Sequence, residues 1–164
     1  MSLAEELVEV KTLRGLGEAH LQKLAAIALP RECPAGAVLF READNSTCIF
    51  VLLRGEVSLE VNMRDRGPTV IYAAGPGELL GWSPVLGRHA MTATAKVTTP
   101  CRLAVFEAPQ VNELIQEDLQ FGVAFLRQLA LIVSDRLSAT RHCLASVRGQ
   151  IESPRFSVIR EGSD

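Results

Sequence analysis

The chain has 164 residues, 48% of them hydrophobic, with a formal net charge of -2. That is enough to bury the core of one compact domain, and two domains would be cramped. The near-neutral balance gives no global basic field, which disfavours a phosphate-backbone partner such as DNA.

The first residues, Met1-Ser2-Leu3-Ala4-Glu5-Glu6, are acidic and lack a basic-then-apolar leader. No later apolar run is long enough for a bilayer span, so neither a membrane partner nor a secretory route is expected. The expected location is the cytoplasm. Cys33, Cys48, Cys101 and Cys143 are dispersed without a CxxC pair, the pattern of buried apolar thiols rather than of metal ligands or disulfides.

Between Leu16 and Leu29, Leu21, Leu24, Ala25 and Ala28 recur at helical spacing, with Gly17 before them and Pro30 after, which predicts a short amphipathic helix. After Pro34-Ala35-Gly36 the texture changes to brief β-rich runs: 37–40, 48–53, 57–61, 70–73, 91–97 and 102–106. Turn residues fall between them at Asp44-Asn45-Ser46, Arg54-Gly55, Arg64 to Pro68 and Thr99-Pro100, the short intervals of an antiparallel sandwich or roll. A helical period then returns. It predicts a short helix over 108–115 and a long one from Asp118 to about Val147, whose apolar positions include Phe121, Phe125, Leu129, Ile132, Val133, Leu137 and Leu144. That stripe is broader than one packed face requires, so it predicts a seam for a second subunit beside a face on the roll. The polar stretch from Arg148 to Asp164 contains Pro154 and has no sustained period.

Gly75-Pro76-Gly77-Glu78-Leu79-Leu80-Gly81-Trp82-Ser83 stands out among the turns. Three glycines in seven residues allow positive φ and close backbone approach, and free N–H groups there can wrap a phosphate. Glu78 adds one oriented acceptor suited to a neighbouring hydroxyl, so the pair points to a ligand with both phosphate and sugar. The same residues also fit a plain tight turn, with Glu78 complementing a helix dipole. Trp82, the one tryptophan, fits either a pocket wall or the edge of the core. Thr92 fits either a phosphate contact or an ordinary strand position.

Enzyme chemistry finds little support. His20, His89 and His142 lie in different elements with no HxH pair, and there is no GxSxG, P-loop or Ser-His-Asp arrangement. Neither catalytic nor metal-ligating residues are expected.

The order of elements, with Pro34-Ala35-Gly36 and Phe40, Phe50-Val51-Leu52-Leu53-Arg54-Gly55-Glu56-Val57, Gly75-Pro76-Gly77-Glu78 and a long closing helix, resembles the cyclic-nucleotide-binding domain family from about Leu13 to Leu144. The resemblance implies a mainly β fold: an eight-stranded antiparallel β-roll with a short N-terminal helix and a long C-terminal one. Residues 1–164 then form one domain, with the first helix and roll over 13–107, the closing helices over 108–147 and a tail over 148–164. It also implies a sensor of cAMP or cGMP; with the missing catalytic motifs and the seam on the long helix, the expectation is a non-catalytic homodimer through that helix with no further cofactor. Gly77 and Glu78 match the family's phosphate-binding cassette, where the glutamate serves the ribose 2′-hydroxyl. The cassette's arginine is ambiguous. Counting forward from Gly77 reaches Arg88, and counting back from Thr92-Ala93-Thr94 reaches Met91. The expected ligand-binding set is therefore Gly77, Glu78, Leu79, Leu80, Arg88, Met91, Thr92 and Ala93. Two alternatives stay open: a degenerate member serving as a protein-interaction scaffold, and the sensor half of a truncated transcription regulator. A helix-turn-helix module is missing from the 164 residues.

Overall fold

The structure, a computed structural model, describes residues 1–88 and 90–148. The expected tail over 148–164 falls outside it apart from Arg148, and so does His89. Three helical pieces open the chain: α1 (Leu3–Val8), a 3₁₀ helix (Lys11–Leu16) and α2 (Glu18–Ala26). Six strands follow: β1 (Leu29–Cys33), β2 (Val38–Phe40), β3 (Cys48–Met63), β4 (Gly67–Ala74), β5 (Leu79–Leu80) and β6 (Thr94–Glu107). The chain closes on α3 (Ala108–Glu117) and the 30-residue α4 (Leu119–Arg148). No helix among the described residues is long and apolar enough to cross a membrane.

The sheet is antiparallel, in the order β1-β6-β3-β4, with β2 also on β6 and β5 also on β3. The resemblance implied eight strands, whereas the described residues hold six continuous ones. The runs expected at 48–53 and 57–61 are one bent strand, and so are those expected at 91–97 and 102–106, which join in a strand that begins at Thr94. Register shifts between Leu52 and Val57 mark the bend of β3. Gly55 sits in it at φ +91°, where a Cβ would stand 2.5 Å from the Pro100 carbonyl oxygen and 2.6 Å from Cys101 Sγ. The turn residues Arg54-Gly55 and Thr99-Pro100 therefore let two long strands cross closely without ending either. β1 was not expected, because Pro30 reads as a helix stop. It lies in an edge strand, where a missing N–H is tolerated.

Strand alternation builds two cores. Phe50, Leu52, Leu80, Leu103 and Val105 point into the roll with Phe40, Met91 and Ala93. Ile49, Val51, Leu79, Ala104 and Phe106 point out, beneath Leu7, Leu13, Leu21 and Leu24 of the N-terminal pieces and Phe121, Phe125 and Leu129 of α4. With both faces covered, β3 reads as the near-continuous apolar run Ile49–Leu53 rather than as an alternating one.

α4 carries two stripes. The inward one runs Phe121, Phe125, Leu129, Ile132 and Arg136, at spacings of three and four. The outward one runs Leu119, Val123, Leu126, Ala130, Leu137 and Leu144, with the half-buried Val133, which packs on the core, at its border; Leu119 and Val123 are 75% and 70% exposed.

Candidate functional site

The Gly75–Ser83 loop leaves β4 and returns through β5 on the edge of β3. Gly77, at φ +87°, donates its N–H to the Leu52 carbonyl (2.6 Å), and the Glu78 carbonyl accepts from Leu52 N–H (2.9 Å). Thr12 of the 3₁₀ helix donates its hydroxyl to the Gly77 carbonyl at 2.5 Å. The amides of Gly75, Gly77 and Glu78 are thus all engaged: Gly75 on Glu78 Oε2, Gly77 on Leu52, and Glu78 on the Gly75 carbonyl. The run of free amides expected from the glycines is not present in this arrangement. The glycines instead close a tight turn that clips the loop to β3.

Glu78 is the hub of the site. Its Oε1 accepts the Tyr72 hydroxyl (2.6 Å) and Arg136 Nη2 (3.3 Å), and its Oε2 accepts the Gly75 amide (2.6 Å). Arg136 comes from α4 and is only 8% exposed. Its guanidinium lies 3.9 Å over the Tyr72 ring centroid and 5.2 Å from that of Trp82, and Nη2 also reaches the Leu79 carbonyl at 3.4 Å. Its Nη1 is buried without a hydrogen-bond partner among the described residues. Burial first, then the hydrogen bond to Glu78, pushes the Tyr72 hydroxyl above its ordinary pKa, so it stays protonated and donates. A charged group in the middle of an apolar interface is held by an ion pair and two aromatic faces.

The far end of the loop is built differently. A 3₁₀ turn, Ser83–Leu86, stops at Gly87 (φ +74°), and the exposed Arg88 donates its backbone N–H to the Ser83 carbonyl. Arg88 and the exposed Thr92 line a surface hollow with Glu42 and Ala90, whereas Glu78 lines two others, one with Arg136 and Asp135 and one with Lys11 and Arg54. Met91 is 3% exposed, packed inside the roll among Phe40, Phe50 and Ala93 and tied by backbone bonds to Ala43 and Asp44. Leu79 and Leu80 are both buried, on opposite faces of β5. Of the expected set, Gly77 and Glu78 lie together, Arg88, Met91 and Thr92 lie together, and the two groups face different hollows.

Sequence reasoning missed Thr12, Tyr72 and Arg136. A signal for Arg136 exists: it is the next position of the Phe121-Phe125-Leu129-Ile132 stripe, and an arginine continuing a buried face must have a partner there.

The family model of the cyclic nucleotide-binding domain matches residues 30–118, from β1 through α3. The chain belongs to the cyclic nucleotide-binding domain family. A lysophospholipase nte1 of Neurospora crassa is 36% identical over 105 residues, which cover 64% of this chain and 7% of that protein. This domain thus spans a small part of the curated relatives it matches first. Among solved structures, a cyclic nucleotide-binding domain from Methylobacillus flagellatus superposes with a TM-score of 0.79 at 16% identity, covering 92% of this chain and 85% of that one. The regulatory domain of Toxoplasma gondii PKA with cAMP gives a TM-score of 0.61 at 21% identity, over 68% of this chain and 42% of that one. At those identities the likeness is one of fold. Family membership supports a ligand-sensing, regulatory role for this domain.

Proposed function

We propose that this domain is a non-catalytic sensor of a cyclic nucleotide, cAMP or a close relative, which reports occupancy through α4. The observation that carries the reading is the contact of Arg136 on α4 with Glu78 on the loop. A ligand hydroxyl seeking Glu78 competes with the Tyr72 hydroxyl and Arg136 for the same carboxylate oxygen. Ligand binding and the docking of α4 therefore draw on one group, and the ligand shifts the helix by its difference in affinity for the two arrangements. The outward stripe completes the path. Its spacings of four and three from Leu119 to Leu137 are those of a two-stranded seam, and a second copy of this chain is the partner that such a stripe fits best.

One observation favours a second reading. Met91 fills the roll interior at the position reached by counting back, and Arg88 is exposed. A guanidinium that meets a phosphate in a forked, charge-assisted bond needs to reach the interior, and lysine or an apolar residue cannot copy it. A chain that keeps the roll and the Glu78–Arg136 contact without binding nucleotide is a scaffold.

Trp82 lies near the Arg136 guanidinium and so reports on the hub. Titration with cAMP and with cGMP, followed by Trp82 fluorescence and by calorimetry, is expected to give saturable binding with one of them. Neither heat nor thermal stabilisation at millimolar nucleotide would leave the scaffold reading standing. A hydrolysis screen on nucleotides and phosphoesters that finds turnover would overturn the non-catalytic part.

A further inference from the structure

Cys33 and Cys101 take no part in the site described above, yet the fold places them face to face. They are directly opposite in the β1–β6 ladder. Directly opposite residues of an antiparallel pair share a face, with Cα atoms about 4.5–5.5 Å apart. That separation lies within the roughly 4.4–6.8 Å that a disulfide spans. Cys33 is the one buried residue of β1, at 5% exposure, and Cys101 is 2% exposed; both are free thiols. Gly55 keeps the place of the Cys101 sulfur open, since a side chain there would overlap Sγ. Despite their burial, the two cysteines line a hollow of about 390 Å³ that also touches Arg54, Pro100 and Arg102, large enough for a small oxidant.

We propose that Cys33 and Cys101 are a redox pair, closed to a cross-strand disulfide by hydrogen peroxide and reopened by a dithiol reductant. The Cys101 thiol donates to the carbonyls of Thr99 (3.1 Å) and Glu56 (3.4 Å), and burial raises its pKa, so it is held as a thiol. Cys33, at the end of β1 and lining the hollow beside the exposed Pro34, is the first nucleophile. The Cys33 sulfur attacks one peroxide oxygen. The O–O bond breaks, and the leaving hydroxide takes up the thiol's proton as water, leaving a sulfenic acid. Cys101 sulfur then attacks that sulfur. The S–S bond forms as S–O breaks, and a second water leaves with the Cys101 proton. Two electrons pass from the sulfurs to one peroxide, so two thiols and one peroxide give one disulfide and two waters.

The bond requires the β-carbons to close from about 4.5–5.5 Å to about 3.8 Å. Cys33 ends β1 and enters the exposed Pro34–Gly36 turn, where a Cβ on Gly36 would meet nothing within 4 Å. The covalent ring formed encloses β2 to β5 and the whole Gly75–Ser83 loop, so oxidation pins the first strand of the roll to the last.

The test uses the full chain, treated with equimolar hydrogen peroxide under native conditions, quenched with an alkylating agent and digested without reduction. The expected product is a Cys33–Cys101 cross-linked peptide about 2 Da lighter than its two free parts, as loss of two hydrogens requires. It disappears on reduction, while Cys48 and Cys143 are recovered alkylated. The oxidised chain is expected to melt several degrees above the reduced one, and Cys33→Ser to abolish both the cross-link and the shift. Recovery of Cys33 and Cys101 as alkylated thiols or sulfinic acids would overturn the pair. So would a cross-link that forms only in urea, or one that joins either to Cys48 or Cys143.

Discussion

The two ends of the Gly75–Thr92 segment are fourteen residues apart at Glu78 and Thr92 and are held in opposite ways. At the first end, one carboxylate collects three protein donors and ties the loop to a buried arginine of another element. At the second end, an arginine of the same charge stands in the open, and the buried position beside it is a methionine. The contrast separates two uses of one chemical type. A guanidinium stacked between aromatic rings and paired within an apolar interface fixes how two elements meet. A guanidinium at the surface leaves the fold unaffected and is available to a ligand.

Removing the inner arginine should break this contrast most severely. Arg136→Ala leaves the Glu78 carboxylate short of its partner and opens a void under α4, and is expected to cost about 3 kcal/mol or more in urea unfolding. A loss below about 1 kcal/mol would mean that the ion pair is incidental to docking. Met91→Ala tests the buried residue at the other end. It empties part of the roll core and should cost about 2–3 kcal/mol, unless a bound nucleotide refills the space. A variant that gains nucleotide affinity while losing stability would reveal Met91 as an internal plug.

The base of α4 supplies a gentler probe. Hydrogen bonds from Lys23 and from the Phe121 amide hold Asp118 down at about 2, against an ordinary 3.8. Because the folded value is the lower one, the contribution is fully present above about pH 4 and is lost as pH falls from there toward 2. Asp118→Asn should flatten that part of the stability profile, measured by thermal melting across pH. Parallel profiles for the native chain and the variant would show that the Lys23 and Phe121 contacts do not bias α4. Last, Arg88→Ala should change stability by no more than about 0.5 kcal/mol, as for a surface residue. Its effect should appear only in nucleotide affinity, and an unchanged affinity would place the phosphate elsewhere.

Periodicity was enough to read α2, α3 and α4, because each has one buried face whose residues recur at three and four. It placed α3 and α4 within two or three residues of their observed ends. The strands were legible as apolar runs, but their continuity was not. Arg54-Gly55 and Thr99-Pro100 have turn composition, and only the partner strand reveals that they bend the chain without stopping it. The segment α1 and the following 3₁₀ helix went unread because each is only six residues long, too short to show a period of its own, although Leu7, Val10, Leu13 and Leu16 are all buried. At the site, Gly77 and Glu78 were visible from composition. Arg136 was not, since a pairing across 58 residues leaves no local trace beyond one charge on an apolar stripe, and Tyr72, six residues before Glu78, has the composition of an ordinary strand residue.

α4 starts at Leu119 against Asp118 and rises about 1.5 Å per residue, so Arg136 lies about 27 Å along it and Arg148 about 45 Å. On the proposed reading, in which α4 reports occupancy, a rigid α4 pivoting at its base would act as a lever. A shift of about 1 Å at the guanidinium becomes about 1.7 Å at the tip, by proportion of those lengths. On that reading, the position of Arg136 about three-fifths of the way along would set the gain. Moving that contact one helical turn toward the base would make the same local shift travel farther at the tip.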